Sequence, residues 1–317
     1  MRIVIALGGN AMTSADGRAT PTDQIAAIKK AASPVAELVA QGHELLLTHG
    51  NGPQVGNLLV KNELTSGHVP PVPLDWCGAQ TQGTIGMLVV NALDNAFARR
   101  GLGAPTAALV SRTLVDAHDP GFTTPTKPIG RYLTAAETEP LIAQGQKFIE
   151  VDGRGWRRVV ASPQPIDCID APSAGLLMSA GYLVVCSGGG GIPTIRTETG
   201  ELRGIEAVID KDLTASLLAR QLRADMLIIA TDVDAVATGF GTGTPRPVGH
   251  VTVEEMRKIA AEQNFAAGSM GPKVEAITRF AAAGSGTGVI TSLEKIARAV
   301  NADAGTRVMP QPEAVVR

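Results

Sequence analysis

The run Tyr182-Leu-Val-Val-Cys-Ser-Gly-Gly-Gly-Gly-Ile192 carries a short aliphatic stretch straight into four consecutive glycines, Gly188 to Gly191. A strand that ends in glycine can turn sharply, leaves no Cβ in the way, and points successive backbone N–H groups at whatever binds there. Two more junctions of the same kind follow aliphatic runs nearer the amino terminus. Arg2 to Leu7 leads into Gly8-Gly9-Asn10, and Glu44 to Thr48 leads through His49 into Gly50-Asn51-Gly52. One such junction is most simply a tight turn. Three imply a common crevice, because ligands of open α/β sheets sit beyond the carboxyl ends of neighbouring strands. Phosphates and carboxylates suit such backbone cradles best.

Outward from these junctions the chain alternates strand and helix signals. A helical stretch opens at Thr20-Pro21 with Ile25, Ile28, Ala32, Val35, Leu38 and Val39 on one face and ends at Gly42. Pro34 is expected to bend or restart it. Pro53 sits well as the first residue of the next helix, a long helix is expected over about residues 75–100, and a strand over 107–110. Residues 112–165 break the rhythm with prolines at 120, 125, 128, 140, 163 and 165 and with a hairpin signal at Asp152-Gly-Arg-Gly155. This stretch reads as an excursion from the main sheet, either a surface elaboration or a lid in which the stiff Pro125-Thr-Lys-Pro-Ile-Gly130 loop holds Lys127 over a site. After Gly181 the pattern resumes, with strands at 182–186, 226–230 and 289–291 and helices at about 211–223, 253–263 and 272–283. The expected fold is α/β, an open, mainly parallel sheet sandwiched by helices, with a protruding subdomain. Residues 1–200 form an amino-terminal half that includes the protrusion, and 201–317 form a carboxy-terminal half.

Composition agrees. The 317 residues are 44% hydrophobic with only ten aromatics, so Ala, Val, Ile and Leu must fill the core, as in buried parallel strands under Ala-rich helices. Twenty-eight basic and 30 acidic residues without a basic stripe leave no footprint for nucleic acid. No apolar run reaches the roughly 20 residues of a membrane span or the length of a signal core. Cys77, Cys168 and Cys186 are odd in number, widely spaced and far from any metal-binding pattern, and read as buried thiols of a cytoplasmic protein. No metal site is expected.

The chain has no GxxxxGK[ST], no protein-kinase signature, no HExxH and no GxSxG. Glycine loops combined with separate lysines point to phosphoryl transfer on another scaffold, since that reaction demands chiefly in-line positioning and neutralisation of charge. Lys211, in Val208-Ile-Asp-Lys-Asp212, and Lys273, in Gly268-Ser-Met-Gly-Pro-Lys273, each stand at a helix start, where anions are already favoured. Asp212 could hold one or both lysines in place, or serve only as an N-terminal helix charge. The stretch Asp225-Met-Leu-Ile-Ile-Ala-Thr-Asp-Val-Asp234 ends in acids suited to a ribose, Mg²⁺ or a helix cap. Gln80, Gln82 and Gly83 fit packing or ligand contact equally, and His49 is structural or touches a ligand.

Taken in order, Ala6-Leu-Gly-Gly-Asn10, Thr48-His-Gly-Asn-Gly-Pro-Gln-Val-Gly56, Pro125-Thr-Lys-Pro-Ile-Gly130, Ser187-Gly-Gly-Gly-Gly-Ile-Pro193, Glu206-Ala-Val-Ile-Asp-Lys-Asp212, Thr231-Asp-Val-Asp-Ala235 and Ala266-Ala-Gly-Ser-Met-Gly-Pro-Lys273 resemble the carbamate kinases of the amino-acid-kinase fold family over nearly the whole chain. The resemblance implies a homodimeric enzyme that reversibly transfers phosphoryl between ATP and carbamate, with Mg²⁺, often toward ATP in arginine breakdown. It implies that the amino-terminal half binds carbamate or carbamoyl phosphate and the carboxy-terminal half ATP or ADP. Carried over by motif, Gly8, Gly9, Asn10, Gly50, Asn51 and Gly52 cradle the substrate, and Lys127 reaches in from the protrusion. Lys211 and Lys273 neutralise the phosphoryl group and Asp212 organises them, while Gly188, Gly189, Asp232, Asp234, Met270 and Gly271 face the nucleotide. Met87 and Ala237 depart from residues usual in the family. The rival readings are a kinase of the same fold for another small carboxylate or phosphonate, and a nucleotide-binding sensor without turnover.

Overall fold

The computed structural model describes residues 1–9, 20–239, 244–263, 265, 270–284 and 286–310. Strand alternation sets its layers. In the first strand, Arg2–Leu7, Val4 and Ala6 point to one side of the sheet, while Ile3, Ile5 and Leu7 point to the other. In Glu44–His49 Leu46 joins the first side and Leu45 and Leu47 the second. Both faces are therefore buried, which requires helices on each. The first face packs on helices Ala171–Ser179, Lys211–Gln221, Val253–Gln263 and Met270–Ala282; the second packs on Pro21–Ala40, Leu74–Ala98 and Ile296–Val300.

The sheet has eight strands in the spatial order His250–Thr252, Thr306–Met309, Thr287–Ser292, Met226–Thr231, Arg2–Leu7, Glu44–His49, Leu183–Val185 and Thr106–Ala108. The last six are mutually parallel; Thr306–Met309 runs antiparallel to Thr287–Ser292, and His250–Thr252 follows it. The open, mainly parallel sheet between helices is thus the observed architecture, and strands from both expected halves share it. Those two terminal strands lie outside the sequence reading, because each is short and neither alternates clearly.

Pro34 does not restart its helix, which runs continuously over Pro21–Ala40 from a Thr20 cap whose Oγ1 accepts from the Asp23 N–H at 3.2 Å. An internal proline costs about 3 kcal/mol. Burial of Ile28, Ala31, Ala32, Val35, Ala36 and Leu38 on both sides of it offsets that cost.

Residues 112–165 resolve into two parts. Their ends, Arg112–Val115 and Pro165–Cys168, join Ile192–Arg196 and Leu202–Gly204 in a small four-stranded sheet. Between them Lys127–Leu133, Gly155–Val160 and Lys147–Val151 form a three-stranded antiparallel sheet with helix Ala135–Ala143. The hairpin turn expected at Asp152 to Gly155 is present, with φ of 69° at Gly153 and 103° at Gly155. Ile129 and Val160 of this sheet pack on Val55, Leu59, Leu74 and Cys77.

Candidate active site

Four adjacent parallel strands, Met226–Thr231, Arg2–Leu7, Glu44–His49 and Leu183–Val185, end on one edge of the sheet, and the three glycine junctions follow three of them. The Gly8 N–H donates to the Ala230 carbonyl at 2.9 Å and the Gly50 N–H to that of Leu7 at 3.1 Å. A Cβ on Gly50 would lie 3.4 Å from the Gly9 backbone and 3.6 Å from Cδ of Lys211. The first two junctions and Lys211 therefore meet. The third closes on them as well: a side chain on Gly188 would overlap the His49 imidazole, and one on Gly189, whose φ is 69°, would overlap the Asn51 amide. Only glycine permits both that approach and that backbone. Asn10 lies outside the described residues.

Side chains brace this edge. Ser187 sits in the left-handed region at φ 53°, where a non-glycine residue costs about 1–2 kcal/mol. Its carbonyl accepts from Thr48 Oγ1 at 2.8 Å, and its N–H donates to Ser111 Oγ at 2.7 Å. Gln82 Nε2 donates to the carbonyls of Gly188 at 2.9 Å and Ser111 at 3.1 Å, while its Oε1 accepts from the Ser111 N–H at 2.8 Å. Gln82 is thus a brace for the glycine turn, a role that its position in a long helix could not reveal. His49 is fully buried beside Gly50. Desolvation, opposed by its hydrogen bond to the Gly50 carbonyl at 3.0 Å and assisted by nearby Lys211, lowers its pKa to about 4. It is neutral near pH 7 and donates from Nδ1.

The charged centre grows from the start of helix Lys211–Gln221. Asp210 caps it, with Oδ1 accepting from the N–H groups of Asp212 at 2.9 Å and Leu213 at 3.4 Å. Its other oxygen, Oδ2, accepts from Lys127 Nζ at 3.0 Å. Asp212 turns inward, accepting from Lys211 Nζ on Oδ1 and from Lys273 Nζ on Oδ2, the latter at 3.1 Å. Burial alone would raise the Asp212 carboxyl, but the two ammonium groups override it and hold it below the usual carboxylate range. Three lysines and two aspartates leave one net positive charge beside the glycine cradle, an arrangement built to receive anionic oxygens.

Lys127, Lys211, Asp212, Lys273, Gly8, Gly9, Gly50, Gly188 and Gly189 thus join one connected set of contacts. Asn51 joins it through Gly189, and its Nδ2 donates to Thr81 Oγ1 at 2.9 Å. Gly52 opens helix Gly52–Thr65, with Pro53 in its first turn as expected. Met270 and Gly271 open the helix that carries Lys273. Asp232 follows the strand Met226–Thr231 and accepts from Thr231 Oγ1 at 3.0 Å. Asp234 is exposed and paired with Lys295 at 2.6 Å, which lowers its pKa. Asp210 was not singled out in the sequence, although an aspartate directly before a helix start is the usual cap signal.

A glycine-edged α/β sheet with a lysine-aspartate-lysine cluster defines a phosphoryl-binding protein. Residues 1–292 match the model of the amino acid kinase family, and the chain belongs to that family. It is 42% identical over 314 residues to the carbamate kinase of Pyrococcus furiosus, covering 98% of this chain and 99% of that protein. It is 44% identical over 309 residues to the carbamate kinase-like protein YqeA of Escherichia coli, covering 96% and 98%. The solved carbamate kinase of Giardia lamblia bound to AMP-PNP superposes with a TM-score of 0.92 at 40% identity, covering 97% of this chain and 98% of that one.

Proposed function

We propose that the chain is a carbamate kinase, transferring phosphoryl reversibly between ATP and carbamate to give ADP and carbamoyl phosphate. The observation that carries this reading is the buried Asp212 carboxylate holding Lys211 and Lys273, with Lys211 against Gly50 and Gly9. In the ATP-forming direction an ADP β-phosphate oxygen attacks the phosphorus of carbamoyl phosphate, and the bond from phosphorus to the carbamate oxygen breaks. Carbamate leaves as an anion, and no proton need move. Charge gathers on the phosphoryl oxygens, where Lys211 and Lys273 meet it, preorganised by Asp212. Backbone N–H groups at Gly9, Asn10, Asn51 and Gly52 hold the small anion, Gly8 and Gly50, whose own N–H groups are bonded to the Ala230 and Leu7 carbonyls, shape the turns around it, and Lys127 closes over the site.

In this proposal residues 201–317 take the nucleotide, with Asp232, Met270 and Gly271 around it and Asp234 contributing as its pair with Lys295, while Gly188 and Gly189, expected from the resemblance to face the nucleotide, close instead on His49 and Asn51 of the acceptor cradle. The start of helix Met270–Ala282 supplies backbone donors and a positive dipole end for its phosphates. Mg²⁺ is assigned to the nucleotide as part of that substrate. No helix of the described residues is long and apolar enough to cross a membrane. The homodimer and a place in arginine breakdown rest on the family resemblance, and the cytoplasmic setting on the cysteine usage and apolar runs of the sequence.

The test is ATP formation from ADP, Mg²⁺ and carbamoyl phosphate by the purified protein, with Lys273→Ala as control. Rapid synthesis that depends on Lys273 is expected. Nucleotide binding without ATP formation overturns the reading. The similarity to a relative termed only carbamate kinase-like motivates a second reading, another small acid as acceptor; product identification across a panel of carboxylates and phosphonates decides between them.

A further inference from the structure

The three-stranded sheet brings a second cation to the site. A cavity of about 80 Å³ lies between that sheet and the cradle, lined by Asn51, Gly52 and Gly189 from the cradle and by Pro128, Ile129 and Arg157 from the sheet. Arg157 is the only charged residue among the described residues that line it; backbone, aliphatic side chains and the Asn51 amide make up the rest of them. Its guanidinium carbon stands 5.3 Å from the centre of the Tyr132 ring, and Nη2 donates to the Gly130 carbonyl at 3.2 Å. These two contacts fix the group without neutralising it.

Arg157 differs from Lys127 and Arg131 in having no carboxylate beside it, and from Arg154 and Arg158 in lining this cavity. Lys127 is paired with Asp210, and Arg131 with Glu63 and Glu137. Arg157 has no carboxylate partner among the described residues, and its Nε is buried without any hydrogen-bond partner. A buried donor without a protein partner is costly, so a ligand oxygen that reaches it gains affinity. A guanidinium edge matches a planar carboxylate or carbonyl group better than a point charge does.

We propose that Arg157 is a substrate-binding residue that takes the planar, carboxyl-type end of the acceptor: a carboxylate oxygen of carbamate, or the carbonyl oxygen of carbamoyl phosphate. This rests on the reaction proposed above. The division of labour is spatial, with Lys127, Lys211 and Lys273 on the phosphoryl group and Arg157 on the group that accepts or releases it. It makes the cavity a selector for a small planar acid.

The experiment is steady-state ATP synthesis by the full chain and by Arg157→Gln and Arg157→Lys, with KM measured separately for carbamoyl phosphate and for ADP, and with thermal unfolding of each variant. Losing a charged hydrogen bond to substrate is expected to raise KM for carbamoyl phosphate in Arg157→Gln by about 10- to 100-fold while KM for ADP stays within about twofold. Arg157→Lys, which keeps the charge but loses the fork, is expected to fall between. Carbamoyl phosphate KM within about twofold of the parent in both variants, or an equal rise for both substrates, overturns the assignment while the carbamate kinase reading stands. If Arg157→Gln shows no cooperative unfolding, Arg157→Lys decides alone, and a parent-like KM in it overturns the assignment. If the parent makes no ATP from carbamoyl phosphate, the underlying reaction fails and this assignment fails with it.

Discussion

Two aspartates within three residues of chain, Asp210 and Asp212, hold lysine ammonium groups, and they belong to different mechanical worlds. The Asp212 side chain is 4% exposed and holds two ammonium groups that are themselves 14% and 16% exposed. Asp210 holds one ammonium, that of Lys127, which is 32% exposed and rides on the three-stranded sheet. Removing one partner of a buried charged cluster leaves an uncompensated charge, whereas a partly solvated pair is worth about 1 kcal/mol or less. The inner contact is therefore a fixed instrument and the outer one a latch that substrate oxygens can replace. In the proposed reaction the fixed charge neutralises the transferred group, and the releasable one lets the site open.

The sharpest way to break this contrast is to remove the inner charges. Lys211→Ala and Lys273→Ala are each expected to lower kcat by about 10²-fold or more, as loss of a preorganised charge stabiliser does. Asp212→Ala is expected to do the same and also to cost about 3–5 kcal/mol in chemical denaturation, because two buried ammonium groups then face each other. Near-normal turnover in both lysine variants would show that the cluster is scaffolding and not a charge stabiliser.

A pH titration of stability tests the same rigid edge from another side. His49 binds its proton with a pKa of about 4 in the folded chain, against 6.5 for a free imidazole. Between those values the unfolded chain takes up a proton that the folded chain refuses, so stability falls as pH drops through that window and is level above it. The full difference is at most about 3 kcal/mol. His49→Asn is expected to remove this component of the slope between about pH 6.5 and 4. An unchanged slope would mean that the imidazole protonates in place and that the wall around Gly188 yields.

How far the sequence anticipated all this follows the same inner and outer division. The glycine junctions, Lys211, Asp212 and Lys273 were legible because local rules decide them: glycine after a strand, and charge at a helix start. The eight-stranded sheet was legible for its central strands, where continuous aliphatic runs such as Met226 to Ala230 can only be buried. Gln82 and Asp210 were not assigned roles, since what they do depends on partners far along the chain, Ser111 and Gly188 for the first and Lys127 for the second. Arg157 was invisible for a stronger reason. Its distinguishing feature is a place on the cavity wall without a carboxylate beside it, and no local pattern of residues encodes that.

The outer contact should respond more mildly. Lys127→Ala is expected to reduce kcat/KM for carbamoyl phosphate by about tenfold, with folding stability changed by no more than about 1 kcal/mol, since only a partly exposed pair is lost. Asp210→Ala removes the helix cap as well and is expected to cost about 1 kcal/mol of stability. If Lys127→Ala proves as destabilising as Asp212→Ala, the latch is structural and the two contacts are of one kind.

The smallest effect sharpens the comparison most directly, because it reads motion without any mutation. All three cysteines are buried, and burial raises each thiol: Cys168 is pushed up to about 12, and Cys186 is raised behind the main sheet. Cys77 is raised too, with a partly opposing hydrogen bond from Asn62, but it lies directly beneath Ile129 and Val160 of the three-stranded sheet. Exchange with an aromatic disulfide in mildly alkaline buffer is therefore expected to be slow at every site under native conditions, since little thiolate is present. If the sheet lifts as a lid, Cys77 reacts several-fold faster than the other two, and saturating carbamoyl phosphate removes the difference by holding Lys127 and the sheet closed. Three thiols that react together, and only at the rate of global unfolding, would show that the outer region is as fixed as the inner one.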